Sequence, residues 1–444
     1  MIHSSVSKTA LSERSFGFLL LALLGIAISA LTVAAIVVLR MYGDTAYIAC
    51  AIASGFAVLA ATAVVDRACP AKAIWLIVGI AILLRLILLF TEPLLSTDIY
   101  RYVWDGRVQA WGINPYRYVP ADAALAPLRD ASIFPHINRA DYAVTIYPPV
   151  AEMFFFVVTR LSENVTTMKA GLLACEAVTV TVILLLLRQL AQPSTRIVAY
   201  AWHPLPLWQI ANNGHVDALM TALMMTGIYL AITQKPIRGG IAVTLGSLAK
   251  PLALLALPVL WRRWDWRVPL VVIATVIICY APYLSVGTGA LGFLGGYLKE
   301  EGFANGDRFW LLAIERMLFG NVPGDAIVYF VSAALIIGVL AGRVAFRETR
   351  TIESTLADIN SLLLASLFLL SPNYPWYFLA ATPFVALVGG VPVWALTVGA
   401  SLLHAEVGGV MFVPLLVRQS ILYGGFLLAC VYASWRARQM KGSR

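Results

Sequence analysis

Apolar stretches of about 20 residues recur from one end of the chain to the other, each long enough to cross the roughly 30 Å of hydrocarbon in a bilayer as an α-helix. The pattern predicts spans at Phe16–Leu39, Thr45–Val65, Ala73–Thr91, Met168–Arg188, Arg196–Ala211, Val216–Thr233, Val268–Leu284, Ala326–Gly342, Ser354–Leu370, Tyr377–Leu387, Pro392–Leu403 and Val410–Trp435. Basic residues cluster in alternate turns: Lys8 and Arg14, Arg67 and Lys72, Arg188 and Arg196, Lys235 and Arg238, Arg262 with Arg263 and Arg267, Arg343 with Arg347 and Arg350, and the terminal Arg436, Arg438 and Lys441. The positive-inside rule then puts both termini in the cytoplasm and the segment after Thr91 outside. That segment, Glu92 to Ile146, is the longest polar stretch and is rich in Tyr, Trp, Pro and paired charges. The polar turns Asn212–Asp217 and Ser371–Trp376 fall on the same outer face.

Two segments break the alternation. Gly239–Leu260 lies between basic turns and so enters and leaves on one side, with Lys250-Pro251 at its midpoint. Proline removes a backbone donor and disfavours helix at the residue before it, which predicts two half-helices meeting at a break that lines a cavity. Tyr147–Arg160 begins Tyr147-Pro148-Pro149, is too short to span comfortably and reads as a second partial helix. The fold expected is an all-α polytopic membrane protein with about 11–13 membrane helices, partial ones included.

Composition agrees. With 444 residues, 60% hydrophobic and 12% charged, the chain has more apolar surface than one water-soluble core hides, and reads as a single transmembrane domain, residues 1–444, with 92–146 as its extracytoplasmic loop. The net charge of +9 is that of cytoplasmic loops and argues against nucleic acid as a partner. Cys50, Cys69, Cys175, Cys279 and Cys430 are scattered, which fits packing rather than a disulfide framework or metal cluster. Phe16–Leu39 is too long for a signal-peptide core and reads as a retained first helix. Gly287–Gly306 is expected to be a flexible outer loop. There is no Gly-x-Gly-x-x-Gly after a strand and no Walker lysine, which disfavours a nucleotide-sugar donor in a Rossmann-type domain.

The candidate chemistry lies at the outer face. At helical spacing Asp98, Arg101, Tyr102 and Asp105 share one side, placing two carboxylates and a guanidinium together beside the hydrocarbon, a cluster suited to general-base work beside an anion or to a salt-bridged surface. Lys250, in the middle of an apolar run, needs an anion: a phosphate head group in the cavity, or a structural partner in Asp217, Glu152 or Glu176. Arg85 reads equally as a snorkelling cation or a functional one. In Asn212-Asn213-Gly214-His215-Val216-Asp217, Asn213-Gly214 signals a turn and Asp217 suits the first turn of the next helix. Ser371-Pro372-Asn373-Tyr374-Pro375-Trp376-Tyr377 is an aromatic belt whose rings also suit a sugar or an isoprenoid.

The ordered set Asp98-Ile99-Tyr100-Arg101-Tyr102-Val103-Trp104-Asp105-Gly106-Arg107, Gly112-Ile113-Asn114-Pro115-Tyr116, Tyr147-Pro148-Pro149, Asn213-Gly214-His215-Val216-Asp217, Lys250-Pro251 and Pro375-Trp376-Tyr377 resembles bacterial membrane mannosyltransferases of the GT-C superfamily, in particular glycosyltransferase family 87 and related polyprenyl-phosphate-mannose-dependent enzymes. The resemblance implies a GT-C fold in the bacterial cytoplasmic membrane, its active site facing outward, with Asp98 as the general base for inverting transfer from a polyprenyl-phosphate sugar to a lipid or glycan acceptor. It implies cations at the donor phosphate, for which Lys250, Arg101 and Arg107 are the candidates. Asp105 is expected to orient Arg101 or bind sugar hydroxyls, and His215 with Asp217 to hold the acceptor. Tyr102, Tyr147, Tyr374 and Trp376 complete the sugar or acceptor contacts. Thr97 stands where the superfamily often has a second adjacent acid, so no metal or other cofactor is expected. The rival reading is a transporter or flippase of a lipid-linked saccharide.

Overall fold

The computed structural model describes residues 2–261, 263–348, 350–404 and 413–442. Every element among them is helical. Seven helices are long and apolar enough to cross a membrane, and shorter apolar helices lie between them, as the hydropathy pattern predicts for a multi-pass membrane protein. The described chain forms two compact units, one built from residues 1–91, 180–208 and 381–444 and the other from 92–179 and 209–380.

In the first unit the long helices Ile2–Tyr42 and Asp44–Ala68 pack side by side with Ala73–Leu89. Arg85 does not snorkel: its Nη1 donates to the Ala201 carbonyl at 2.7 Å, a backbone acceptor inside the same unit. The stretch expected as one span from Arg196 is interrupted at His203-Pro204, where the missing proline N–H and fixed φ split it into the short turns Val198–Ala201 and Pro204–Pro206. The last expected span starts within residues 405–412, which lie outside the described residues; its remainder is the helix Leu415–Gly442.

The second unit carries the polar loop. Asp98–Ala110 is a helix, as the spacing of its charges predicts, and it packs on the partial helix Pro149–Thr159. The approach is close because position 106 is glycine: a Cβ there would stand 2.5 Å from the Phe155 carbonyl oxygen. Replacing Gly106 by alanine forces the two helices apart and is expected to destabilise the protein by about 1–3 kcal/mol, read as a lower melting temperature in detergent.

The break at Lys250-Pro251 is where local proline chemistry puts it. Pro236–Ser247 ends, Lys250 adopts an extended backbone at φ −151° and ψ 138°, and Pro251 opens a 3-10 turn that runs to Ala256 and continues as Leu257–Leu260. Two features differ from expectation. Gly287–Gly306, expected as a loop, contains the helix Leu294–Glu300, and a further helix, Trp310–Phe319, follows it. Glycine content overstated irregularity there, because Leu294, Tyr297 and Leu298 give the short helix a cavity-facing side.

Candidate active site

A cavity of about 960 Å³ opens within the second unit, and its wall is divided in character. Asp98, Arg101, Asn138, Arg139, Asp217, Lys250 and Arg308 make a polar end, while Leu254, Val272, Val276, Leu294, Leu298 and Ile337 make an apolar flank. Each of the four cationic side chains has a carboxylate partner: Asp105 for Arg101, Glu300 for Arg139, Asp217 for Lys250 and Glu301 for Arg308.

Asp98 is the first residue of its helix and is partly exposed. Asn138 Nδ2 donates to its Oδ1 at 2.8 Å, and His215 Nδ1 lies 3.8 Å from its Oδ2. The chain leading to the acid is fastened by two adjacent amides. Asn212 Oδ1 accepts from the Leu94 N–H at 3.1 Å, Asn212 Nδ2 donates to the Glu92 carbonyl at 3.0 Å, and Asn213 Oδ1 accepts from the Leu95 N–H at 3.1 Å. Gly214 follows at φ +69°, the left-handed region glycine favours, and a Cβ there would collide with Ile99. The turn motif therefore holds the acid's helix by its entrance.

His215 is fully buried and stacks on Trp376 at 4.2 Å between ring centroids, and Trp376 in turn stacks on Tyr374 at 4.5 Å. The three outer segments expected to converge, those of Asp98, His215 and Trp376, do meet. Of the anions considered for Lys250, Asp217 is the one it meets: Nζ stands 2.7 Å from Oδ2, and 4.9 Å from the Tyr377 ring centroid. Asp217 is 1% exposed at the start of Asp217–Ile232, the Lys250 side chain is 15% exposed, and both border the cavity. Glu152 goes elsewhere, accepting from Thr145 Oγ1 at 2.6 Å and Gln109 Nε2 at 2.9 Å, and Glu176 is buried on the helix Val165–Gln189.

Several expected contacts need correcting. Arg107 is not brought to the cavity. It is bonded instead to Asp130 at 2.7 Å, Glu163 at 2.8 Å and the Leu128 carbonyl at 3.0 Å, and so fastens the polar loop. Against the upward push of partial burial, Arg107 and the N–H groups of Ile133 and Phe134 hold the Asp130 carboxyl down at about 2. Tyr102 and Asp105 lie behind the wall rather than in it. Tyr102 is buried and stacked on Phe155 at 4.4 Å, and Asp105, 1% exposed, accepts from Arg101 Nε at 2.8 Å. Burial pushes the Asp105 carboxyl up, against the pull of the Arg101 guanidinium. Of the two roles expected for Asp105, the geometry provides the first, aiming Arg101, which also donates to the Ala143 carbonyl and lines the cavity. Tyr147, Tyr374 and Trp376 do line it.

Sequence reasoning missed Asn138, Arg139, Tyr297 and Arg308 as lining residues, while Tyr377, within the aromatic belt it named, also lines the cavity. Arg308 is held by Glu301 at 2.6 Å and the Leu370 carbonyl at 2.9 Å, and Tyr297 and Tyr377 meet through their hydroxyls. No group of three His, Cys, Asp or Glu side chains able to hold a metal occurs among the described residues.

A polytopic helical membrane protein whose cavity joins an acid, four cations, aromatic rings and an apolar flank is built to bind a ligand among its helices. The comparisons make the class definite. The model of the alpha-(1->6)-mannopyranosyltransferase family, N-terminal domain, matches residues 15–265, more than half of the chain, and the chain belongs to that family of GT-C-type membrane glycosyltransferases. It is 22% identical over 364 residues to alpha-(1->6)-mannopyranosyltransferase A of Mycobacterium tuberculosis, covering 70% of this chain and 67% of that protein. No solved structure matches it. The rival transporter reading falls to this membership. The family match spans Asp98, Asp217 and Lys250 and ends before the aromatic segment at Tyr374–Tyr377.

Proposed function

We propose that the protein moves mannose from a polyprenyl-phosphate donor to a hydroxyl of a lipid or glycan acceptor, at the outer face of a bacterial cytoplasmic membrane and with inversion at the anomeric carbon. The observation that carries this reading is the shared cavity: Asp98 and Lys250 border one space that also has an apolar flank. A carboxylate suits the acceptor proton, an ammonium suits a phosphate, and the apolar flank suits an isoprenoid chain. The relative's name supports an alpha-(1->6) product. Inversion then requires a β-linked mannosyl phosphate as donor.

In the proposed step Asp98 takes the acceptor's hydroxyl proton as that oxygen bonds to the anomeric carbon. The bond from that carbon to the phosphate oxygen breaks, and its electron pair leaves with the polyprenyl phosphate. A phosphate monoester is a good leaving group that needs neighbouring positive charge rather than a protonating acid, and Lys250 and Arg101 are placed for it on the cavity wall. The leaving phosphate is thereby neutralised by side chains, without a metal. Tyr374, which stacks on Trp376 and borders the cavity, offers a ring to a sugar.

The test is incubation of purified protein with radiolabelled polyprenyl-phosphate mannose, polyprenyl-phosphate glucose and GDP-mannose, each with a native lipid extract. Labelled product is expected from polyprenyl-phosphate mannose. Transfer from GDP-mannose with none from either lipid donor overturns the reading of the donor, and transfer from the glucosyl donor alone overturns the sugar.

A further inference from the structure

The four cations of the cavity are not held alike. Arg101 is buried against Asp105 and Arg308 against Glu301, Lys250 is 15% exposed against Asp217, and in each case the carboxylate partner is itself almost fully buried. Separating such a pair strands a desolvated carboxylate, so those three cations are fixed in place. Arg139 differs. Its partner, Glu300, ends the helix Leu294–Glu300, is absent from the cavity lining and stays 30% exposed, while Arg139 itself is 25% exposed. The bond between them runs from Arg139 Nε to Glu300 Oε2 at 2.7 Å. An ion pair open to solvent on both sides is weak and readily exchanged.

Two further observations set Arg139 apart. Its backbone sits at φ 55°, in the left-handed region that an arginine adopts only against a steric cost. Its neighbour Asn138 donates to the Asp98 carboxylate at 2.8 Å, so the strained dipeptide presents one side chain to the candidate base and the next to the cavity.

We infer that Glu300 is a tethered stand-in for a substrate oxyanion, and that Arg139 releases it to take the phosphate of the lipid-linked donor or of the polyprenyl phosphate product. This rests on the donor class proposed above and gives Arg139 the phosphate contact expected from sequence for Arg107. Arg139 is thus a binding residue, and Glu300 a competing internal anion that leaves when the ligand arrives.

The two variants therefore act in opposite directions, which a shared structural role does not produce. Binding of farnesyl phosphate and of farnesol to the detergent-solubilised full chain is measured by calorimetry for the wild type, Arg139→Gln and Glu300→Gln. The wild type is expected to prefer the phosphate. Arg139→Gln is expected to lose about tenfold in farnesyl phosphate affinity, with farnesol unaffected. Glu300→Gln is expected to gain about two- to fivefold, and that variant carries the test if Arg139→Gln does not fold. A Glu300→Gln protein that binds farnesyl phosphate no better, or worse, overturns the inference while the donor reading stands. A wild type indifferent to the phosphate overturns the donor reading itself.

Discussion

Replacing Asp98 by asparagine is expected to lower kcat for mannosyl transfer by a factor on the order of 10² to 10⁴ while leaving donor binding within a few-fold of the wild type. Asparagine keeps the size of the side chain and an oxygen able to accept from Asn138 Nδ2, so the helix Asp98–Ala110 and its entrance clamp remain. What is lost is the ability to accept the acceptor's proton. Steady-state rates with saturating polyprenyl-phosphate mannose, combined with direct measurement of donor binding, separate the two quantities. A variant that keeps more than about a tenth of the wild-type kcat removes Asp98 from the role of base.

The second large effect concerns Lys250 and Asp217. Lys250→Met leaves a carboxylate that is 1% exposed without its ammonium, and Asp217→Leu leaves the ammonium without its carboxylate. Each single change is expected to cost about 3–5 kcal/mol of stability, seen as a fall in melting temperature in detergent. Combining Lys250→Met with Asp217→Leu removes both charges, and the double variant is expected to recover most of that loss because two apolar side chains replace a desolvated pair. Turnover is expected to separate from stability: the double variant folds yet transfers mannose at a small fraction of the wild-type rate, lacking the cation at the leaving phosphate. If the stable double variant is fully active, Lys250 serves the fold alone.

These residues also show what a sequence can disclose. The break at Lys250-Pro251 was legible because proline acts on its own neighbours, and the extended backbone of Lys250 is that local effect. The shared face of Asp98, Arg101 and Asp105 was legible because helical periodicity is local as well, and the Arg101–Asp105 bond is its direct result. Arg107 lies on the same helix, yet its partners Asp130 and Glu163 stand 23 and 56 residues further on, in turns that carry no period. Asn138, Arg139 and Arg308 escaped notice for a related reason: each occupies an irregular segment, and only tertiary folding brings it to the cavity wall. The helix Leu294–Glu300 was obscured by glycines, Gly295 and Gly296 within it among them, although Tyr297 and Leu298 turn one side to the cavity.

The paired amides of Asn212 and Asn213 have a consequence for how acceptors of different shape are accommodated. Because they grip backbone groups of Glu92, Leu94 and Leu95, the segment that carries the candidate base is anchored through its main chain and not by whichever molecule arrives. With Asp98 as the base, its position is set before any substrate enters, and tolerance toward varied hydroxyl-bearing substrates is expected to come from the aromatic and aliphatic side chains across the cleft.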